Sequence, residues 1–232
     1  MGVRERLETA MSIILIICAV IVALAAGRLL FDSPQSRNSP REAEPELLRE
    51  PIWAGILSNA IPVTDTFGSR PVTVVEFMDL ECPFCRRSHL ALEGVADEFV
   101  DSVAHFVVHY PLDIHRFARP AARAAECAAL QDRFAEYVHV VFLKQDSLGL
   151  KDWSSYANES GIRDAVGFQE CVAQTGLVPR VEDGLEIGEE LDVQSTPTVI
   201  INGWRLGFPP RDTEGYIGVI RDILAGVEPY AR

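Results

Sequence analysis

Hydrophobic residues follow two different periods along this chain, and each period predicts one kind of element. Residues 72–78 are rich in β-branched side chains and almost continuously apolar, which is typical of a strand covered on both faces. Residues 102–110 have the same character, and residues 83–100 between them are compatible with a helix. Because two strands joined by a helix form a β-α-β unit, we expect the strands to be parallel neighbours.

The middle of the chain shows a helical period instead. Apolar side chains recur there at spacings of three and four residues, which predicts one long amphipathic helix. The apolar positions are Cys127, Leu130, Phe134, Val138 and Val141. Three shorter helical patterns follow, at residues 152–160, 164–175 and 179–191. We therefore expect a helical insertion from about residue 116 to residue 192.

The end of the chain returns to strands. Asn202-Gly203 separates two apolar runs, residues 197–201 and 204–208, and this dipeptide is a strong signal for a β-hairpin. Residues 216–224 then show an amphipathic helical pattern. The predicted order is β-α-β, several helices, then β-β-α, which belongs to the α/β class.

An uncharged apolar segment lies near the start of the chain. Residues 10–27 carry one polar side chain, and an eighteen-residue helix is about 27 Å long, close to the roughly 30 Å of a membrane core. We expect a transmembrane anchor at residues 10–30, behind a short cytoplasmic N-terminus at residues 1–9. A cleaved signal peptide is the alternative, since residues 23–25 fit a small-x-small cleavage site.

A proline-rich segment follows the apolar one. Residues 31–51 contain four prolines among serine, arginine and glutamate, without an apolar period, which predicts a flexible tether. The folded domain then comprises residues 52–232. Both an anchor with its N-terminus inside and a signal peptide place this domain outside the cytoplasm. We expect a single-pass protein of the cell membrane, or a secreted protein if the segment is cleaved.

Charge excludes one class of partner. The 232 residues include 21 Lys+Arg against 34 Asp+Glu, for a net charge of −13. Such a surface repels phosphate backbones, so we expect no nucleic-acid partner. The five cysteines are too few for a disulfide-framework miniprotein.

Two of the cysteines, Cys82 and Cys85, lie directly after the first predicted strand. They could form a redox centre, half of a metal site or a structural disulfide. A zinc site normally takes four ligands, but the chain has no second C-x-x-C, and the histidine pair His105 and His109 lies on a predicted strand. Those two histidines suit an edge or surface position, and we expect no metal. A structural disulfide across so short a loop would constrain little of the unfolded chain.

The redox interpretation explains more of the pattern. Cys82 would lie at the turn from strand to helix, with Pro83 as a favourable first helical residue. Unpaired N–H groups at the start of the helix would stabilise a thiolate at Cys82. Cys85, one turn further in, would be more buried and would keep its proton. The pair would then divide into an attacking and a resolving cysteine.

Four features together resemble the DsbA-like thiol-disulfide oxidoreductases, which have a thioredoxin fold. They are the Cys82-Pro83-Phe84-Cys85 motif after a strand, Glu76 six residues before it, Ser195-Thr196-Pro197-Thr198 at the start of a late strand, and the helical insertion. The resemblance covers residues from about 70 to 226. It implies a thioredoxin-like α/β fold with an inserted helical subdomain, here preceded by the N-terminal transmembrane helix.

The resemblance also assigns roles to residues of the site. Glu76 would be a buried acid that exchanges a proton with Cys85, so Cys82, Cys85 and Glu76 are the expected catalytic residues. Pro197 would follow a cis peptide bond and leave the backbone of Thr196 free to pair with a bound peptide. Pro83 and Phe84 complete the expected substrate-binding residues. Phe84 departs from the strongly oxidising members, which have histidine there, so the oxidising power is open.

Cys127 and Cys171 lie 44 residues apart, outside this motif. A disulfide between them would close a long loop and stabilise the fold by about 4 kcal/mol, because it lowers the entropy of the unfolded chain. Two unpaired buried thiols are the alternative, although an oxidising compartment favours the bond.

The resemblance implies a membrane-tethered enzyme that forms disulfides in exported proteins without a cofactor. Its expected partners are cysteine-containing exported polypeptides and a membrane-embedded redox protein that reoxidises Cys82 and Cys85. A reductase or isomerase of the same fold is the nearest alternative. A non-enzymatic peptide-binding or metal-carrying module is the alternative from another class.

Overall fold

The computed structural model describes residue 2 and residues 44–64, 70–99 and 101–230. The chain consists of two compact units, residues 1–42 and residues 43–232. All of the helices and strands described below belong to the second unit. The predicted cytoplasmic N-terminus, the anchor at residues 10–30 and most of the tether lie outside the described residues. Within the described ranges, no helix combines the length and apolar character that crossing a membrane requires.

A six-stranded mixed sheet forms the centre of the described domain, in the order β1-β6-β5-β3-β4-β2. The strands are β1 (Glu46–Leu47), β2 (Ile61–Pro62), β3 (Val72–Met78), β4 (Val103–His109), β5 (Thr198–Ile201) and β6 (Trp204–Arg205). β3 and β4 are parallel, as the β-α-β pattern predicts, and the other neighbouring pairs are antiparallel. β5 and β6 form the predicted hairpin across Asn202-Gly203.

Helices lie before the sheet's central strands, between them and after them. They are α1 (Glu50–Asn59), α2 (Pro83–Glu98), α3 (Ala118–Ala129), α4 (Phe134–Leu143), α5 (Trp153–Glu159), α6 (Ala165–Val172), α7 (Pro179–Glu190) and α8 (Thr213–Leu224). α3 to α7 form the helical insertion between β4 and β5. The element order from β3 onward is therefore the predicted one.

The predicted long helix through residues 127–141 is wrong, because the chain turns between α3 and α4. Asp132 has a φ of 57°, in the left-handed region, and Leu130 is 79% exposed. The apolar spacing continues across this break because both helices bury their apolar faces in the same core cluster. Periodicity alone therefore could not distinguish one helix from two helices that share a core.

The last residues of the predicted tether are folded. β1 pairs with β6 through Leu47 and Trp204, Leu48 is buried, and α1 begins at Glu50. Pro51 lies in the first turn of α1, where its missing N–H leaves no helical hydrogen bond unmade. Residues 46–51 therefore belong to the domain, which corrects the predicted boundary at residue 52.

The sheet register brings two distant segments together. β3 and β5 run antiparallel, with Phe77 opposite Thr198, so the segment before β5 lies beside the end of β3. α2 begins just after the same end of β3. The helical insertion packs against this region, since Cys82 and Cys85 share a core cluster with residues of α3 to α6.

Candidate active site

The turn from β3 into α2 positions the cysteine pair. Cys82 is the N-cap of α2 and Pro83 is its first residue, while the Cys82 backbone N–H donates to the Asp79 carbonyl at 3.1 Å. Both cysteines are free thiols in the structure. Cys82 is 3% exposed and Cys85 is 0% exposed, so the pair meets solvent at Cys82 alone.

Cys82 has neighbours that favour its thiolate. Hydrogen bonding from the Cys85 thiol is the largest of these effects, and the backbone N–H groups of Phe84 and Cys85 add to it. Together they outweigh burial and lower the pKa of Cys82 to about 6 from its ordinary value of 9.0. While protonated, the Cys82 thiol donates to the Thr196 carbonyl at 3.3 Å. Cys82 is therefore largely a thiolate at neutral pH.

Cys85 has the opposite environment. Burial, together with its hydrogen bond to Cys82 and the charges on Glu76 and Cys82, raises the pKa of Cys85 well above its ordinary value. The backbone N–H of Asp79 donates to its Sγ at 3.4 Å, which opposes the shift only in part. Cys85 therefore keeps its proton when Cys82 has lost one.

Glu76 lies in the middle of the sheet, on the strand that leads to the cysteines. It faces Val107 of β4 and Val199 of β5 and is fully buried, as expected for a central strand. Neither carboxylate oxygen has a hydrogen-bond partner among the described residues. Burial raises the pKa of Glu76 to about 8, so the side chain is mostly a neutral acid at pH 7.

The loop before β5 closes the site on the other side. The Thr196–Pro197 peptide bond is cis, and both residues are buried. On the α2 side, Pro83 is exposed and Phe84 is 59% exposed, with the Arg87 guanidinium 5.6 Å from the centre of its ring. The structure thus brings the expected substrate-binding residues to the surroundings of Cys82, with Phe84 as an exposed apolar side chain.

Three polar residues that sequence reasoning missed hold the turn between β3 and α2 in place. Asp79 accepts hydrogen bonds from the Leu112 N–H at 2.8 Å and from His115 Nδ1 at 2.7 Å. Gln145, just after α4, donates from its Nε2 to the carbonyls of Leu80 and Cys82, each at 2.9 Å. An aspartate directly after a buried strand was a usable signal for Asp79. Gln145 and His115 carried none, because their contacts cross between distant segments.

The charging of His115 is coupled to the Cys82 thiol. Burial opposes its charging, but its hydrogen bond with Asp79 and the charges of Asp79, Cys82 and Glu81 outweigh this and raise the pKa of His115. A protonated imidazole held by a buried aspartate favours a neighbouring thiolate.

Cys127 and Cys171 are joined by a disulfide that links α3 to α6, with their Cα atoms 5.8 Å apart. Cys127 is buried in the core cluster, and Cys171 packs against that cluster from a partly buried position.

The expectation that His105 and His109 lie at an edge or on the surface is wrong. Both are buried because β4 lies between β3 and β2, with helices covering the face that these two side chains share. His109 Nε2 lies 3.2 Å from Oε1 of Glu126 in α3, and His105 Nε2 lies 3.5 Å from Oε2 of Glu76. Each histidine therefore faces a carboxylate inside the domain.

Curated relatives share sequence with most of this chain. The Na(+)/H(+) antiporter NhaA 1 of Mycolicibacterium gilvum is 34% identical over 196 residues, which cover 82% of this chain and 30% of the antiporter. The Na(+)/H(+) antiporter NhaA 3 of Salinispora tropica is 35% identical over 136 residues, which cover 58% and 21% respectively. The chain spans less than a third of the length of these relatives.

The matching family model and the similar solved structures agree with the cysteine site described above. A family model described as Thioredoxin matches residues 69–216. Oxidised BdbD from Bacillus subtilis is similar with a TM-score of 0.64 and 19% identity, covering 80% of this chain and 100% of BdbD. Alpha-DsbA1 from Wolbachia pipientis has a TM-score of 0.59 and 18% identity, covering 72% and 92%. The predicted thioredoxin-like α/β fold is thereby confirmed. This chain belongs to the thioredoxin family and has the DsbA-like form of the thioredoxin fold.

Proposed function

We propose that this chain is a thiol-disulfide oxidoreductase that forms disulfides in exported, cysteine-containing polypeptides. The observation that carries the proposal is the contrast within one motif: the pKa of Cys82 is lowered to about 6, whereas that of Cys85 is raised well above its ordinary value. Thiol-disulfide exchange needs a thiolate that is easily released and a second thiol within reach, and the two cysteines supply one each.

The first step starts from the oxidised pair. A client thiolate attacks Sγ of Cys82, the Cys82–Cys85 bond breaks, and a mixed disulfide between the client and Cys82 forms. The electron pair leaves on Cys85, which takes up a proton because its thiolate is disfavoured by burial. Glu76 is mostly protonated at pH 7, is buried and interacts electrostatically with Cys85, so it is the acid proposed to supply that proton.

The second step releases the product. A second client thiolate attacks the client sulfur of the mixed disulfide, which forms the client disulfide and expels Cys82 as a thiolate. With a pKa of about 6, Cys82 is a good leaving group at neutral pH. The client has lost two electrons and the enzyme pair has gained them. A membrane-embedded redox protein is the proposed acceptor that restores the disulfide.

The stability of the reduced pair supports the oxidising direction. Every interaction that stabilises the Cys82 thiolate also stabilises the reduced enzyme, and a stabilised reduced form makes the disulfide more oxidising. The helix start and the Cys85 thiol act in this sense, and so does His115 when it is protonated. Phe84 adds no hydrogen bond, so we propose an oxidase of moderate rather than extreme potential.

Client recognition uses the surface around Cys82. Phe84 offers an exposed apolar ring, and the Thr196 carbonyl lies within hydrogen-bond distance of the Cys82 sulfur. An extended client segment beside Thr196 would bring its cysteine to Cys82, as in other modes of strand addition.

We also propose that the domain works outside the cytoplasm, attached to the membrane by residues 10–30. The antiporter relatives support a membrane location, because an antiporter works in a membrane. The part that matches this chain is 30% of the antiporter's length. The transport activity in their name is not carried over to this chain, whose matched family is Thioredoxin.

One equilibrium measurement tests the class and the direction together. The full chain is equilibrated in glutathione buffers, and the redox state of Cys82 and Cys85 is read by alkylation and mass spectrometry. We expect reversible two-electron behaviour with a potential well above the roughly −270 mV of thioredoxin. The matched control replaces both Cys127 and Cys171 by serine and should give the same potential. A value near −270 mV would indicate a reductase, and a pair that never equilibrates would indicate the binding module.

A further inference from the structure

A second cluster of titratable side chains lies further along α2 than the cysteine pair. His89 and Glu93 are one helical turn apart on this helix and therefore share a face. His139 of α4 meets them there, since its Nδ1 hydrogen-bonds to Oε1 of Glu93. Cys82 caps the same helix, and His89 follows it by about 10 Å along the axis at 1.5 Å per residue. The cluster contains no sulfur.

The polar atoms of this cluster converge on one point. His89 Nε2 lies 3.2 Å from Oε1 of Glu93, the oxygen that His139 also contacts. The three candidate ligand atoms all lie within 4.8 Å of one another. Donor atoms around a tetrahedral zinc ion, at bond lengths of about 2.0–2.2 Å, are separated by roughly 3.4 Å. Small side-chain movements would therefore convert this arrangement into a ligand set.

The burial of His89 without hydrogen-bond partners is not explained by an ordinary ion pair with Glu93. Its side chain is fully buried, and neither ring nitrogen makes a hydrogen bond to a described residue, although Nε2 points to Glu93. The ring packs against Phe142, with the centroids 4.9 Å apart, so the imidazole is held in this orientation. Buried polar nitrogens are rarely left unpartnered, because desolvation without a partner costs about 1–3 kcal/mol. A cation bound at Nε2, the nitrogen that points to Glu93, would provide a partner for that atom.

A cavity of about 710 Å³ leads to the cluster and is lined by Glu93, His139 and His105. Three further carboxylates line it, those of Asp97, Glu136 and Glu159. No lysine or arginine of the described chain is among the lining residues, although Arg133 and Lys144 pair with Glu136 and Glu159 from outside. This excess of acidic groups favours entry of a cation, and the open space leaves room for water at a further coordination position.

We propose that His89, Glu93 and His139 bind a divalent cation of the zinc type, with the remaining coordination position facing the cavity. Two imidazoles and one carboxylate are a donor set that catalytic zinc sites use, whereas magnesium and calcium prefer oxygen ligands. Sequence spacing did not reveal the site, because His139 comes from a different helix than the H-x₃-E pair on α2.

The test uses the full chain without an affinity tag, with Cys82 and Cys85 oxidised so that their thiolates cannot bind zinc. Zinc binding is measured by competition with a chromophoric chelator. We expect one zinc per wild-type chain and at least about tenfold weaker binding in Glu93→Gln and in His139→Ala. Both side chains are partly exposed, so both variants should fold.

Glu98→Gln is the matched control. It removes the same charge from the same helix, but Glu98 is paired with Arg221 away from the cluster, so zinc binding should stay at the wild-type level. Zinc should also raise Tm in the wild type and in Glu98→Gln but not in His139→Ala.

Cobalt identifies the donor atoms. The cobalt-loaded oxidised chain should show visible d–d bands without sulfur charge-transfer absorption. Absence of stoichiometric zinc in the oxidised wild type, or equal affinity in His139→Ala, would overturn the proposal and leave a metal-free carboxylate between two imidazoles. Neither result bears on thiol exchange, which uses other residues.

Discussion

Cys82 and Cys85 form one cysteine pair of this domain, and Cys127 and Cys171 form another, in contact with the same core cluster. The first pair consists of free thiols at the start of α2, and the second is a disulfide between α3 and α6. Burial does not distinguish them, because Cys82 is as buried as Cys127. What differs is the polar environment: Cys82 lies at the start of a helix beside a partner thiol, and its thiolate raises the pKa of the nearby His115. Reactivity here follows from local dipoles and charges rather than from exposure.

Replacing cysteines should separate the two pairs most strongly in activity. Cys82→Ser removes the sulfur that client thiolates attack, and we expect disulfide exchange with a model dithiol peptide to fall by three orders of magnitude or more. The double variant with serine at Cys127 and Cys171 should stay within about threefold of the wild type when assayed well below its Tm. A comparable loss in both variants would remove the functional distinction between the pairs.

Stability should show the reverse order. Loss of the Cys127–Cys171 bond opens a loop of 44 residues and should lower the free energy of unfolding by about 4 kcal/mol on the chain-entropy estimate. Opening the Cys82–Cys85 bond frees a far shorter loop and also allows a stabilised thiolate at Cys82. Urea unfolding of the reduced and oxidised chain, and of the double serine variant, measures both effects. A larger loss from opening Cys82–Cys85 would contradict the structural role given to the second pair.

Glu76 should make stability depend on pH. In the unfolded chain its carboxyl ionises at its ordinary pKa of 4.5, but in the folded chain only near 8, so the folded state holds the extra proton between these values. The contribution of this carboxyl to the free energy of unfolding is fully present below pH 4.5 and is lost as pH rises toward 8. By pH 7 the free energy of unfolding has fallen by about 3 kcal/mol from this cause.

Glu76→Gln removes this titration, so its stability relative to the wild type should increase between pH 4.5 and pH 8, apart from a constant offset. Urea unfolding of the oxidised proteins at several pH values provides the measurement. Glu98→Gln, an exposed site on α2, should track the wild type. A flat difference for Glu76→Gln would mean that the carboxyl ionises inside the fold at an ordinary pH.

The sequence predicted the elements nearest the cysteines better than those that hold them in place. Strand 72–78, the helix after Pro83 and the Asn202-Gly203 hairpin each carry a strong local pattern, and the structure contains all three. The break between α3 and α4 has no such pattern, because the apolar period continues across it. Contacts such as those from Gln145 to Leu80 and Cys82 span more than sixty residues, and no local pattern predicts them.

Phe84→His should have the smallest effect. An imidazole at this position could donate a hydrogen bond to the Cys82 thiolate, which Phe84 cannot, so the pKa of Cys82 should fall below about 6 by a fraction of a unit to one unit. Thiolate absorbance titrated against pH reports the shift, and Phe84→Leu is the control that changes the ring without adding a donor. Identical titrations in Phe84→His and Phe84→Leu would show that the helix start and the Cys85 thiol already set this pKa.

The central claim is that one sulfur of the motif is ionised at neutral pH while the other is not. The most direct test alkylates the reduced full chain with iodoacetamide for short times at pH 4 to 9 and assigns each modified cysteine by mass spectrometry. We predict that Cys82 reacts first at every pH, with a rate that rises through a midpoint near 6, and that Cys85 stays unmodified across this range. Equal modification of the two cysteines, or a Cys82 midpoint near the ordinary 9.0, would contradict the account.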